Sequence, residues 1–200
     1  MNYSDEELYE YVTAGRLRKY VPLMIYLDDS DKDVEIPLIK NYEVFKIDNH
    51  TVRIKLHPRS AFVSVCTMGE YLILDEEGYV ITTSNGRLVG IPVINGLDFN
   101  SFNIGEKIPG DERNLRKIYE ITGLSYEYDV ELNEITLEAN GHITLKCGNI
   151  LVYCGRMTDF NTVFDVVLKA KERTKDGEWY IDFTGTIDQN STIQARPISH

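Results

Sequence analysis

The chain predicts an α+β protein. A small N-terminal unit of helix plus antiparallel hairpin, about residues 1–65, leads into a mostly antiparallel β domain carrying two helices, about residues 66–200. Three observations predict this. Residues 42–47 and 51–56 alternate apolar and polar around an Asp-Asn-His turn, and the short apolar runs 72–74 and 79–81 flank an Asp-Glu-Glu-Gly turn. Two windows, 111–122 and 159–173, change to the helical period behind an Asp cap. After each of them short strand-like runs return.

The elements follow in order. Residues 4–14 read as a helix: Ser4 caps it, Glu7 completes a capping box, Leu8, Tyr11 and Val12 form the buried stripe, and Gly15 ends it. Residues 16–27 are open between helix and loop, because Pro22 fits a helix only in its first turn. Residues 28–33 form an acidic loop. Residues 42–47 and 51–56 alternate around Asp48-Asn49-His50 and make a hairpin; residues 61–66 continue as strand. Residues 72–74 and 79–81 make a second hairpin, with Asp75 opening the turn and Gly78 closing it. A flexible link and the phrase Ile-Pro-Val-Ile-Asn-Gly-Leu (91–97) carry the chain onward. A helix over 111–122 is capped by Asp111, stopped by Gly123, and turns Leu115, Ile118 and Tyr119 inward. Strands are expected near 126–131, 134–138, 142–147 and 150–154. A helix over about 159–173 starts at Thr158 or Asp159 and shows Phe160, Val163, Phe164, Val167 and Leu168 on one face. The last segments are 179–186 and 192–196. There are no internal repeats and no low-complexity tracts.

Composition narrows the function classes. With 32 acidic against 21 basic residues the net charge is −11, which opposes binding to nucleic acid or to an anionic lipid surface. No apolar run approaches the roughly 20 residues that span a bilayer, and no signal peptide is visible. A fragment of a protein anchored upstream would read this way, and so would a complete cytosolic protein.

Residues that invite chemistry have plainer readings. Asp75, Glu76 and Glu77 are expected as a solvated turn rather than a metal or acid/base site. Asp29, Asp31 and Asp33 copy the start of a calcium loop, but Val34 and Lys40 stand where the sharp-turn Gly and bidentate Glu belong. The three cysteines are not a disulfide framework. If Gly148-Asn149 is a turn, Cys147 faces Ile150 and Cys154 faces Ile143, about 13 Å apart at about 3.3 Å per residue. A disulfide needs Cα atoms within about 7 Å, so Cys66, Cys147 and Cys154 are expected to be free. His50, His57, His142 and His200 show no metal-binding spacing, and Gly86 and Gly90 flank a loop with no helix after it. Phe99, Phe102 and Tyr119 could line a ligand site, though core packing explains them as well. No catalytic residue, cofactor or metal is expected.

Several phrases together resemble the FtsQ/DivIB family of bacterial division proteins, over nearly the whole chain. Asn-Tyr-Ser-Asp-Glu-Glu-Leu (2–8), Ile-Pro-Leu-Ile (36–39) before Tyr-Glu-Val (42–44), and Val-Arg-Ile-Lys-Leu (52–56) resemble the family's POTRA domain. Gly-Glu-Tyr-Leu-Ile-Leu-Asp-Glu-Glu-Gly (69–78), Ile-Pro-Val-Ile-Asn-Gly-Leu (91–97), Leu-Val-Tyr-Cys-Gly (151–155) and Tyr-Ile-Asp-Phe (180–183) resemble its β domain. There are departures. A strand before the first POTRA helix would precede Met1. The family's upstream tail and membrane helix are not in the chain. His57-Pro58-Arg59 replaces the usual charged pair.

The resemblance implies a non-enzymatic scaffold on the extracytoplasmic face of the bacterial plasma membrane, at the septum, held there by an upstream single-pass helix. Its implied partners are small bitopic proteins of the FtsL and FtsB/DivIC types, and its implied role is in regulating septal peptidoglycan synthesis. A partner strand would add to an edge near the C-terminus. Carried onto this chain, that edge is residues 180–187. The site residues are Tyr180, Ile181, Asp182, Phe183, Thr184, Gly185 and Thr186, with Ile181 and Phe183 on one face and Tyr180, Asp182 and Thr184 on the other. The family often has Arg and Tyr where Thr184 and Gly185 stand. Residues 192–196 are a second candidate edge, with Arg196 available to an acidic partner. The alternative is an extracytoplasmic ligand-binding or POTRA-type assembly module.

Overall fold

A computed structural model describes residues 38–48, 51–173, 177–184 and 195–198. The expected helix at 4–14, segment 16–27, acidic loop 28–33, and the site residues Gly185 and Thr186 lie outside the described residues. The chain divides into two compact units between Arg59 and Ser60, not after residue 65. The boundary is earlier because residues 63–67 pair into the large sheet.

In the first unit, β1 (Ile39–Lys46) and β2 (Val52–Pro58) form the expected antiparallel hairpin, with Tyr42 opposite Leu56 and Val44 opposite Ile54. The Ile47 and Asp48 N–H groups both donate to the Thr51 carbonyl and close the turn. Glu43 lies 2.8 Å from His57 Nε2 on the exposed face.

The second unit is one α+β layer pair. Its strands are β3 (Val63–Thr67), β4 (Glu70–Leu74), β5 (Val80–Ser84), β6 (Val93–Asn95), β7 (Leu132–Leu137), β8 (Ile143–Cys147), β9 (Ile150–Gly155), β10 (Trp179–Asp182) and β11 (Ala195–Pro197). They lie in the order β11-β10-β9-β8-β7-β6-β3-β4-β5. Five of the eight pairings are antiparallel; β3–β6, β6–β7 and β9–β10 are parallel.

Register explains the core. Leu72, Val65, Ile94, Ile135, Leu145, Val152 and Ile181 face one another across seven strands, each at most 1% exposed. Alternation puts this whole row on one side of the sheet. Helices α1 (Glu112–Glu127) and α2 (Phe160–Lys171) join the same buried cluster through Ile118 and Ile121, and through Phe160, Val163, Phe164 and Val167. On the other face Ile73, Ser64 and Val93 of β4, β3 and β6 are also buried, and the row continues through half-buried Glu134, Lys146, Leu151 and Tyr180.

Four differences from the sequence reading have identifiable physical causes. First, Asp75 is buried, not solvated. Its carboxylate accepts the Glu77 N–H at 2.9 Å and the Tyr79 N–H at 2.8 Å, so the turn folds over it while Glu76 and Glu77 stay exposed.

Second, Gly123 does not stop α1, which runs on to Glu127, so no strand covers 126–131. A mid-helix Gly costs about 1 kcal/mol against Ala. Packing half-buried Leu124 against the core offsets it by about 1 kcal/mol or more. The helix ends instead at Tyr128, whose N–H bonds the Leu124 carbonyl, before Asp129 takes a left-handed turn at φ 51°.

Third, residues 93–95 are a strand between β3 and β7 rather than a link. The run is short because Pro92 precedes it and Gly96, at φ 79°, ends it. A Cβ at Gly96 would run into the Leu137 carbonyl oxygen. Fourth, an irregularity between Ile143 and Thr144 places Gly155, not Cys154, opposite Ile143. Cys147 does face Ile150, and all three cysteines are free.

Candidate functional site

The terminal edge is built from α2 outward. Asp159 caps the helix, accepting the Thr162 N–H and hydroxyl. Those hydrogen bonds hold its carboxyl below the usual range. Phe164 stacks on Tyr128, with ring centroids 5.8 Å apart. The chain then returns as β10, parallel to β9, with Trp179 N–H on the Asn149 carbonyl at 3.0 Å and Phe183 N–H on the Tyr153 carbonyl at 2.8 Å. The Asn149 side chain donates to the Gly177 carbonyl and fixes the entry.

β10 is not an edge. It is paired to β9 on one side and antiparallel to β11 on the other, with Trp179 opposite Pro197, Tyr180 opposite Arg196 and Ile181 opposite Ala195. The expected edge at residues 180–187 is thus one strand too far in, because the segment after β10 comes back to pair with it. β11, which overlaps the second candidate segment, is the terminal strand at this end of the sheet among the described residues.

The faces are as expected. Ile181 and Phe183 are buried against the core, Tyr180 is half-buried, and Asp182 and Thr184 are exposed. Arg196 shares the row of Tyr180, Leu151, Lys146 and Glu134 on the helix-free face. The structure therefore brings together Tyr180, Asp182, Thr184 and Arg196, and puts Ile181 and Phe183 beneath them.

Two details shape this corner. Asp182 accepts both the hydroxyl and the backbone N–H of Thr184, and this turn ends β10. Those bonds, aided by the Arg196 charge, hold the Asp182 carboxyl below its ordinary value. Tyr153 and Tyr180 meet edge to face at 6.3 Å. Tyr153 is 39% exposed, so the aromatic pair lies on the helix-free face of β9 and β10, inside the terminal strand. Such a surface offers backbone hydrogen bonds, ring faces and one guanidinium: it can hold an extended chain. Among the described residues no group of three or more His, Cys, Asp or Glu is placed to hold a metal ion.

A cleft of about 490 Å³ lies beside the C-terminal end of α1, lined by residues 87–93, 125–126, 129–133 and Lys171. Phe99, Phe102 and Tyr119 do not line it. Phe99 and Phe102 pack edge to face at 6.4 Å against the core, as does Tyr119. Burial, with the Asp75 charge second, pushes the Tyr119 hydroxyl up to about 12. The cleft was illegible in the sequence because it depends on the 85–92 crossover being held against β3 and β7. Arg87 pins that crossover to Glu134 at 2.6 Å, and Ser64 donates to the Pro92 carbonyl.

No protein-family model matches the chain, and a search of curated proteins finds no match. No described helix is long and apolar enough to cross a membrane.

Proposed function

We propose that this chain is a non-enzymatic divisome scaffold of the FtsQ/DivIB type. It takes small bitopic division proteins, of the FtsL and FtsB/DivIC types, by adding a partner strand at its terminal sheet edge. In this reading the first unit is a POTRA-like domain and the second is the family's β domain. Both face the extracytoplasmic side of the bacterial plasma membrane, where the complex helps regulate septal peptidoglycan synthesis.

The observation that carries the reading is the end of the sheet. β11 is hydrogen-bonded on one side only among the described residues. On β11 itself Arg196 would stand next to an incoming strand, with the Tyr153–Tyr180 pair behind it on β9 and β10. Main-chain hydrogen bonds supply affinity in this mode and flanking side chains supply choice. The sequence phrases in family order support the same reading.

The test is direct mixing of the purified chain with soluble ectodomains of FtsL and DivIC type. The expected result is a complex in the micromolar range, about −8 kcal/mol, with amide protection appearing at residue 195. No complex under those conditions refutes the reading.

A further inference from the structure

We propose that the cleft beside the C-terminal end of α1 binds a small amphiphilic cation: an ammonium group carried on an apolar or aromatic body. The cleft borders β6 and β7, well inside the sheet from β11, so the site does not rest on the strand-addition reading.

Size and lining suit a small molecule. The volume of about 490 Å³ falls within the roughly 300–1,000 Å³ of ligand pockets. Pro92, Val93, Val130 and Leu132 line the cleft and are buried, so its deep wall is apolar. Tyr126 brings an aromatic ring that is 52% exposed and packs on Phe62, with centroids 5.6 Å apart. Leu88 and Val89 add exposed apolar surface from the crossover. A ligand body that stacks on Tyr126 covers this surface.

Charge selects the polar end of the ligand. Four charged side chains line the cleft: Arg87, Asp129, Glu131 and Lys171. Glu134 already neutralises the Arg87 guanidinium at 2.6 Å. Lys171 ends α2 beside Lys169, so its ammonium answers the negative end of its own helix. α1 has no basic residue in its last turn, and that turn lines the cleft through Ser125 and Tyr126. Its negative end is therefore unanswered. Neither Asp129 nor Glu131 has an ion-pair partner among the described residues; Asn133 Nδ2 donates to Glu131 at 2.9 Å and holds it in place. Two carboxylates and a helix end thus outweigh one ammonium. The backbone points the same way. Asp129, at φ 51°, stands just past the helix, where glycine is usual, and so adds a carboxylate at a place that ordinarily has no side chain. The net charge of −11 draws cations toward the chain from a distance.

The experiment titrates the full 200-residue chain by NMR with tryptamine, and with indole-3-propionate, which has a carboxylate in place of the ammonium. Tryptamine should shift the amides of Gly90, Tyr126 and Val130 and bind at least about tenfold more tightly than indole-3-propionate. Asp129→Asn combined with Glu131→Gln should weaken tryptamine about fivefold or more, since Asn keeps the left-handed backbone and only the charges go. Lys171→Met, at an exposed position, should tighten it about threefold, and carries the test if the double variant melts early. Equal or tighter binding of indole-3-propionate, no shift of those amides at millimolar tryptamine, or unchanged affinity in a folded variant overturns the proposal. A Lys-rich peptide that shifts the amides when tryptamine does not makes the occupant a protein segment and overturns it too. No FtsL or DivIC ectodomain enters the test, so its failure is separate from failure of the scaffold reading.

Discussion

Ile198 donates its N–H to the carbonyl of Glu178 at 2.8 Å, and this one bond orients the terminal strand. It makes Arg196 an inward-bonding residue and Ala195 an outward one, although both stand side by side in sequence. Proline substitution separates the two. Arg196→Pro removes a ladder bond to Tyr180 and strands its carbonyl, and should cost about 1–3 kcal/mol. Ala195→Pro removes only an outward donor and should stay within about 0.5 kcal/mol of the parent. Urea denaturation of both variants checks the order.

Asp182 closes β10 through Thr184, and its folded pKa lies below its ordinary value of 3.8. A depressed carboxyl contributes stability above the unfolded pKa, and the contribution is lost as pH falls through the folded pKa. The turn should therefore persist at and somewhat below the ordinary value. Asp182→Asn keeps an acceptor for the Thr184 N–H and should hold the turn while removing that acid dependence. Asp182→Ala should lose it at all pH values, at a cost of about 1 kcal/mol. Amide exchange at Thr184 through the acid range distinguishes the three chains.

The cysteines differ in environment. Burial pushes Cys147 up to about 12, with Cys154 adding to it, and burial alone pushes Cys154 up to about 12. Cys66 is exposed. At mildly alkaline pH a thiol reagent should label Cys66 quickly and the other two only after unfolding. The raised thiols add a second consequence: their stability contribution is complete below the ordinary thiol pKa of 9.0 and is lost as pH rises toward about 12. A thermal melt series that crosses 9.0 from below should show the decline setting in.

Gly96 ends β6 at φ 79° against the Leu137 carbonyl. Gly96→Ala combines left-handed strain with a backbone clash and should cost about 2 kcal/mol or more. Gly69, also at positive φ but with open space around it, should lose less on the same change. Chemical denaturation of the two variants gives the comparison.

What was legible in the sequence followed from local rules. The alternation at 42–47 and 51–56 marked β1 and β2, and the Asp111 and Asp159 caps marked both helix starts. The inward face of 179–183 came from period two alone. The misreadings of strands and helix ends were decided by distant partners. β6 is a strand because β3 and β7 flank it. Gly123 stays helical because Leu124 packs on the core. Residues 180–182 lost their edge position because Ala195–Pro197 folds back beside them. Nothing in the residues of β10 records that return.

The proposed scaffold role requires that the outward backbone of β11 receive a partner strand. Binding of the parent chain and of Ala195→Pro to soluble FtsL and DivIC-type ectodomains, measured by calorimetry beside a melt of each chain, tests it most directly. The parent should bind, and Ala195→Pro should melt like the parent but bind at least about tenfold more weakly. Equal binding by the two chains would contradict it.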